Sequence, residues 1–150
     1  MNFSNLINLE NVYLDSISEP NDNHLCLTFN RSKTNTVPES IDIGGNVINN
    51  VYSIDIDYRL PIIQIDFESY IGYSILNESY TGQDDYEIFE GKWFRIYSKS
   101  RYLDFIKSGT IATKDYPGPF KHYGIICFNH IIDIVSVSEP IIKEIVRTEI

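Results

Sequence analysis

The sequence predicts an α+β domain that is mainly antiparallel β-sheet, a sandwich or partly closed barrel with one or two short helices. Three observations predict it. The side chains suit pleated surfaces: aromatic residues make up 13% of the chain, isoleucine recurs throughout, and alanine, the best helix former, occurs once, at Ala112. Apolar and polar residues alternate with period two through the middle of the chain, as strands with one wet face require. Asn, Asp, Gly and Pro punctuate it at short intervals. At 43% apolar residues the chain is too rich for disorder. Its 150 residues fit a single domain, 1–150, that buries roughly two-thirds of its unfolded surface.

Residues 9–18 alternate loosely and form a first strand. Pro20 to Asn23 is a turn, 24–30 a second strand, and 31–40 a loop. Gly44-Gly45-Asn46 closes a hairpin between 40–43 and 47–50. The clearest strands follow. Ile54, Ile56 and Tyr58 share one face of 53–58 and Asp55 and Asp57 the other; after Arg59-Leu60-Pro61, Ile63, Ile65 and Phe67 lie opposite Gln64, Asp66 and Glu68. Paired as neighbours, these strands put Asp55, Asp57, Asp66 and Glu68 on one sheet face.

Residues 71–76 extend the second of these strands past Gly72 through a bulge. Gln83-Asp84-Asp85 is a loop, and 86–97 is a strand region broken at Gly91. One helix is well marked: Ser98 or Ser100 caps it, Tyr102, Leu103, Phe105 and Ile106 form its apolar stripe, and Lys107 and Gly109 suit its end. Pro117-Gly118-Pro119 is a rigid turn. Residues 121–128 and 131–137 form a hairpin turned near Asn129-His130. In 139–150, Pro140 and apolar residues at 141, 142, 145 and 146 favour a terminal helix, although the Ile and Val content allows a strand.

Charge is divided unevenly. The formal net charge is −9; residues 1–90 hold 15 acidic and 3 basic side chains, and residues 91–150 hold 6 acidic and 9 basic. A net negative chain is a poor ligand for duplex DNA or an anionic membrane, so neither is an expected partner. No apolar run is long enough for a transmembrane helix. The N-terminal residues lack a basic region followed by an apolar one, so no signal peptide is expected, and cytoplasm is the expected compartment. Like charges across a strand pair repel, and three readings accommodate them: solvation, pairing with the basic segment 91–121, or a surface meant for a basic partner. The third reading makes Asp55, Asp57, Asp66 and Glu68, extended by Asp84, Asp85 and Glu87, a partner-binding surface.

Catalytic patterns are weak. Cys26 and Cys127 sit in apolar runs and read as buried hydrophobes rather than as a disulfide or a metal pair. Cys127 lies between His122 and His130, but Ile-Ile-Cys-Phe is a core sequence and a poor place for a nucleophile. His122, His130 and Asp133 can approach one another across a hairpin, yet their spacing is not a ligand pattern. His24 has no partner in the sequence. No phosphate-cradling glycine loop is present, and Trp93 suits either the core or an interface. No catalytic residue, metal or cofactor is expected.

Two stretches carry a resemblance. They are Gly91-Lys92-Trp93-Phe94-Arg95-Ile96-Tyr97-Ser98-Lys99-Ser100 with Tyr102-Leu103-Asp104-Phe105-Ile106, and 122–136 (His-Tyr-Gly-Ile-Ile-Cys-Phe-Asn-His-Ile-Ile-Asp-Ile-Val-Ser) with Glu139-Pro140. Together they resemble small acidic immunity proteins that accompany polymorphic toxins in low-GC Gram-positive bacteria. The resemblance implies a cytoplasmic, non-catalytic inhibitor of a cognate toxin domain, and it transfers no site residue. The expected function is therefore an acidic binding protein that covers a basic site, such as a nuclease groove, on a toxin. The alternatives are a β-barrel-like small-molecule binder with a Tyr/Ile interior, a subunit of a larger assembly, and an enzyme of unrecognised type.

Overall fold

The structure is a computed structural model and describes residues 2–148. Its elements are α1 (Phe3–Leu6), β1 (Val12–Ser18), β2 (Leu25–Thr34), β3 (Glu39–Ile43), β4 (Asn46–Val51), β5 (Ile54–Ile56), β6 (Ile62–Phe67), β7 (Tyr70–Asn77), a 3₁₀ turn (Glu78–Tyr80), β8 (Ile88–Glu90), β9 (Phe94–Lys99), α2 (Arg101–Gly109), β10 (Lys121–Ile126), β11 (His130–Ser136) and β12 (Ile141–Ile145). Every strand pair is antiparallel.

Alternation builds two sheets that stack on their apolar faces. One has the order β1-β2-β6-β12, with β5 also on β2; the other has the order β7-β11-β10-β9-β8. Leu25, Leu27, Phe29, Ile63, Ile65, Phe67 and Ile142 of the first meet Phe94, Tyr123, Ile125, Ile132 and Ile134 of the second in one buried cluster. Phe67 packs on Tyr123 at 5.3 Å between ring centroids, and Phe29 on Phe94 at 6.5 Å, edge to face. The fold is thus an α+β sandwich, and the sheets do not close into a barrel. The short α1 plugs one opening of the sandwich with Phe3 and Leu6; its Asn2 and Asn5 satisfy each other's end of the helix reciprocally.

Two arches carry the chain between sheets. The turn at Glu68-Ser69 takes β6 into β7, and 137–140 takes β11 into β12, so that the pair β7–β11 becomes the pair β6–β12. The arches are tied together: Val137 donates its N–H to the Ser69 carbonyl at 3.0 Å, and the Ser69 N–H is received by Ser138 Oγ at 3.0 Å.

Several expected elements are placed differently. Residues 53–58 and 63–69 do not pair with each other. Instead β5 and β6 follow one another along β2, Ile54–Ile56 against Ser32–Thr34 and Ile63–Phe67 against Leu25–Phe29. The reason is the length of β2, which continues through Thr34 where a loop was expected and so offers room for two partners. Residues 70–77 are a separate strand in the other sheet, not an extension of β6. The expected terminal helix is β12: the exposed edge of β6 takes Ile141–Ile145 in register, and β-branched residues fit that edge better than a lone helix turn. Glu149 and Ile150 of that expectation lie outside the described residues. The hairpins β3–β4 and β10–β11 and the Ser100-capped α2 stand as expected.

Candidate functional site

The outer face of the second sheet holds the most elaborate side-chain arrangement in the chain. Its residues line up across the strands in rows set by register. One row is Gly72, Val135, His122 and Tyr97; the next is Ser74, Asp133, Gly124 and Arg95; a third contains Leu76, Ile131 and Ile126. Helix α2 covers the first row, packing Leu103 and Ile106 on Tyr97 and Val135. Gly72 admits the helix, since a Cβ there would stand 3.0 Å from Tyr102 Oη and 3.1 Å from Ile106 Cδ1. The other rows stay open and form the floor of a groove of about 1000 Å³. Tyr102 and Phe105 of α2, Phe89, Trp93 and Tyr80 are its aromatic lining.

A hydrogen-bonded chain runs under the helix to this floor. Ser100 Oγ accepts the Leu103 N–H at 2.9 Å as the N-cap of α2 and shares a second hydrogen bond with His122 Nδ1 at 2.7 Å. His122 Nε2 then donates to Asp133 Oδ1, also at 2.7 Å. Ser100 and His122 are fully buried, whereas the Asp133 side chain retains 18% of its exposure and borders the groove. Tyr97 stacks on the His122 ring at 4.2 Å. It lies flat because residue 124 is glycine: a Cβ there would be 2.5 Å from the Tyr97 ring. Burial and the nearby Asp133 carboxylate push the Tyr102 phenol up to about 12.

These three residue types make catalytic triads elsewhere, but the geometry here runs the other way. The serine is the buried end and bonds Nδ1; the carboxylate is the accessible end. Cys127 is likewise enclosed, and burial pushes its thiol up to about 12. His130 does not join His122 and Asp133. It stands on the opposite face of β11 from Asp133, three residues away, and its Nδ1 is buried without a partner among the described residues.

The seven acidic residues expected to form one surface are dispersed. Asp55 faces Lys33 and Asp66 faces Cys26, which sets them about 23 Å apart along β2 at the usual strand rise. Asp57 is buried and held by Arg59 through Nε and Nη2, each at 2.9 Å; that hydrogen bonding draws its pKa down to about 2. Asp66 is buried too. Burial raises its pKa, but hydrogen bonds from Gln64, His24 and Cys26 outweigh this and the net shift is downward. His24, alone in the sequence, thus finds its partner at 2.7 Å across two strands.

Asp84 pairs with Arg101, and Glu87 accepts the Arg101 N–H at 3.3 Å, so the acidic loop clamps the start of α2. Tyr86 completes that clamp, with Lys99 and Arg101 over its ring at 4.4 and 4.8 Å. Pairing with the basic segment, one of the three sequence readings, therefore accounts for Asp84. Asp55, Glu68 and Asp85 remain exposed. Asp55 also accepts a hydrogen bond from Asn35 at 2.6 Å.

A different surface emerges beside Asp55. The β3–β4 ribbon stands on no sheet and is exposed along both faces, including Ile41, Ile43, Val47 and Ile48. Between residues 35 and 58 the chain has Glu39, Asp42, Asp55 and Asp57 and no Lys or Arg. The sequence signals this hairpin through Gly44-Gly45, but nothing in it says that the hairpin has no third strand. Among the described residues no helix is long and apolar enough to cross a membrane. Comparison of the chain with protein-family models, curated proteins and solved structures returns no match.

Proposed function

We propose that this chain is a non-catalytic recognition module for a basic protein, acting as an immunity protein that covers the working surface of a toxin domain. The observation that carries the reading is the β3–β4 ribbon. A two-stranded ribbon alone in water is marginally stable, and an exposed strand pair bearing Ile41, Ile43, Val47 and Ile48 invites association. The charges around these side chains are acidic: Glu39 and Asp42 on the ribbon and Asp55 beside it. Such a surface complements a basic site with an apolar centre, of which the phosphate groove of a nuclease is an example.

Two features weigh against the rival readings. The Ser100 hydroxyl is buried beneath α2, so the Ser–His–Asp chain offers no nucleophile. The space between the sheets, where a barrel-like carrier would hold a ligand, is filled by Phe29, Phe67, Phe94 and Tyr123.

The test is co-expression with the product of the adjacent upstream gene, followed by gel filtration and affinity capture at stepped salt. The reading expects a stable complex, weakening with salt, and rescue of growth from that neighbour's toxicity. Glu39→Lys with Asp42→Lys slows association, and Ile41→Ser with Ile48→Ser speeds dissociation. Absence of both complex and rescue overturns it.

A further inference from the structure

The groove on the second sheet contains a carboxylate with no Lys or Arg partner among the described residues. Asp133 borders this groove, and its only ionic contact among the described residues is with His122. Arg95 lies in the same row, separated from Asp133 by Gly124 alone, and would be the natural partner. It is turned elsewhere: Nε donates to the Lys92 carbonyl at 2.7 Å, Nη1 to Tyr97 Oη at 3.3 Å, and its guanidinium lies 4.0 Å from the Phe89 ring centre. The Tyr97 ring fills the position a Cβ would take at Gly124. The guanidinium of the second cation of the groove, Arg101, is engaged by Asp84.

Thus both groove cations are occupied while the carboxylate keeps Oδ2 free of any protein hydrogen bond among the described residues. Asp133 is also preorganised, because the buried Ser100 and His122 fix its orientation from behind. Tyr102 and Phe105 border the same space. A fixed carboxylate beside aromatic faces is the chemistry that recognises an organic cation.

We infer that this groove is a receptor for one cationic group, a guanidinium or ammonium, with Asp133 as its counter-ion, and that the group is a side chain of the basic partner. The second part rests on the proposed function; the preference for a cation does not.

The test uses the full chain, isotopically labelled, titrated with N-acetylarginine amide and N-acetyllysine amide and followed by two-dimensional NMR. The inference expects saturable shifts centred on the amides of Ser74, Gly124 and Asp133. Asp133→Asn keeps the shape and the acceptor for His122, and weakens the response about tenfold. Phe105→Ser, on the exposed face of α2, weakens it less. N-acetylglutamate gives no such shifts, and Ile41→Ser with Ile48→Ser binds the cations as the parent does. Shifts that are absent, that appear equally with the glutamate probe, or that survive Asp133→Asn overturn the inference. In the complex with a basic partner, Asp133→Asn speeds dissociation about tenfold. An unchanged rate overturns the assignment to a partner side chain while leaving the proposed function standing. Cation binding without any partner complex overturns the proposed function, and with it the assignment to a partner side chain, while the preference for a cation stands.

Discussion

Two hairpins of this chain are made of much the same residues and have opposite surroundings. The strands of β10–β11 are Lys-His-Tyr-Gly-Ile-Ile and His-Ile-Ile-Asp-Ile-Val-Ser; those of β3–β4 are Glu-Ser-Ile-Asp-Ile and Asn-Val-Ile-Asn-Asn-Val. The first pair sits at the centre of a five-stranded sheet, with strands on both edges, the other sheet on one face and α2 on part of the other. The second has no neighbouring strand among the described residues and is wet on both faces. Alternation and turn residues decide that two strands pair; what they pair against decides what the hairpin is for. The buried hairpin holds the fold and orients Asp133, whereas the exposed one leaves its isoleucines to solvent, as the proposed partner-binding role requires.

The sharpest way to break this contrast is by truncation. Ile125→Ala or Ile132→Ala, both fully buried, should cost about 2–5 kcal/mol in urea denaturation. Ile41→Ala or Ile48→Ala should cost less than about 0.5 kcal/mol. A ribbon substitution as damaging as a core one means that the ribbon packs against something in the free protein.

Glycines give the next test. Gly124→Ala forces a Cβ to within 2.5 Å of the Tyr97 ring and should cost about 1–3 kcal/mol, with the Tyr97–His122 stacking lost in NMR ring-current shifts. Gly45→Ala meets no atom within 4 Å, and only its φ of +89° opposes the change, for about 1 kcal/mol. Ser100→Ala removes the cap of α2 and one end of the buried chain. It should cost about 1–2 kcal/mol by thermal unfolding and loosen His122.

A smaller effect should appear in acid. The pKa of Asp57 is lowered in the folded protein, so the unfolded chain binds its proton at higher pH. Its contribution is therefore complete above the ordinary value of 3.8 and is lost as pH falls toward about 2. Its partner Arg59 is 80% exposed, and solvent and salt weaken the pair. Asp57→Asn should lower neutral stability slightly and flatten the acid limb of a stability–pH curve, so that variant and parent converge as pH falls toward about 2. Glu39→Lys with Asp42→Lys should have the least effect on stability, within about 0.5 kcal/mol by urea denaturation, since both residues are exposed.

The sequence makes the local elements legible and leaves their partners hidden. The Gly44-Gly45 turn, the β10–β11 hairpin and the Ser100 cap follow from turn and capping chemistry, which acts over a few residues. The pairing of 53–58 with 63–69 fails because proximity in sequence is a poor guide when a ten-residue strand such as β2 can seat both. The terminal strand is missed because an open sheet edge outweighs a helix-like spacing. At the site, the His122–Asp133 contact is foreseeable from the hairpin, and period two already places His130 on the wrong face. Ser100 is recognisable as a cap but not as a partner of His122, because that contact depends on where α2 lands. The acidic surface is dispersed for the same reason: Arg59, His24 and Arg101 each claim a carboxylate through contacts that charge counting does not reveal.

The most direct measurement is the affinity of the full chain for the product of the adjacent upstream gene, the proposed basic partner, at several salt concentrations, with and without Ile41→Ser, Ile48→Ser, Glu39→Lys and Asp42→Lys combined. The account predicts a complex that weakens as salt rises, lost in the ribbon variant although that variant unfolds like the parent. Equal binding by a folded ribbon variant, or no salt dependence, would contradict it.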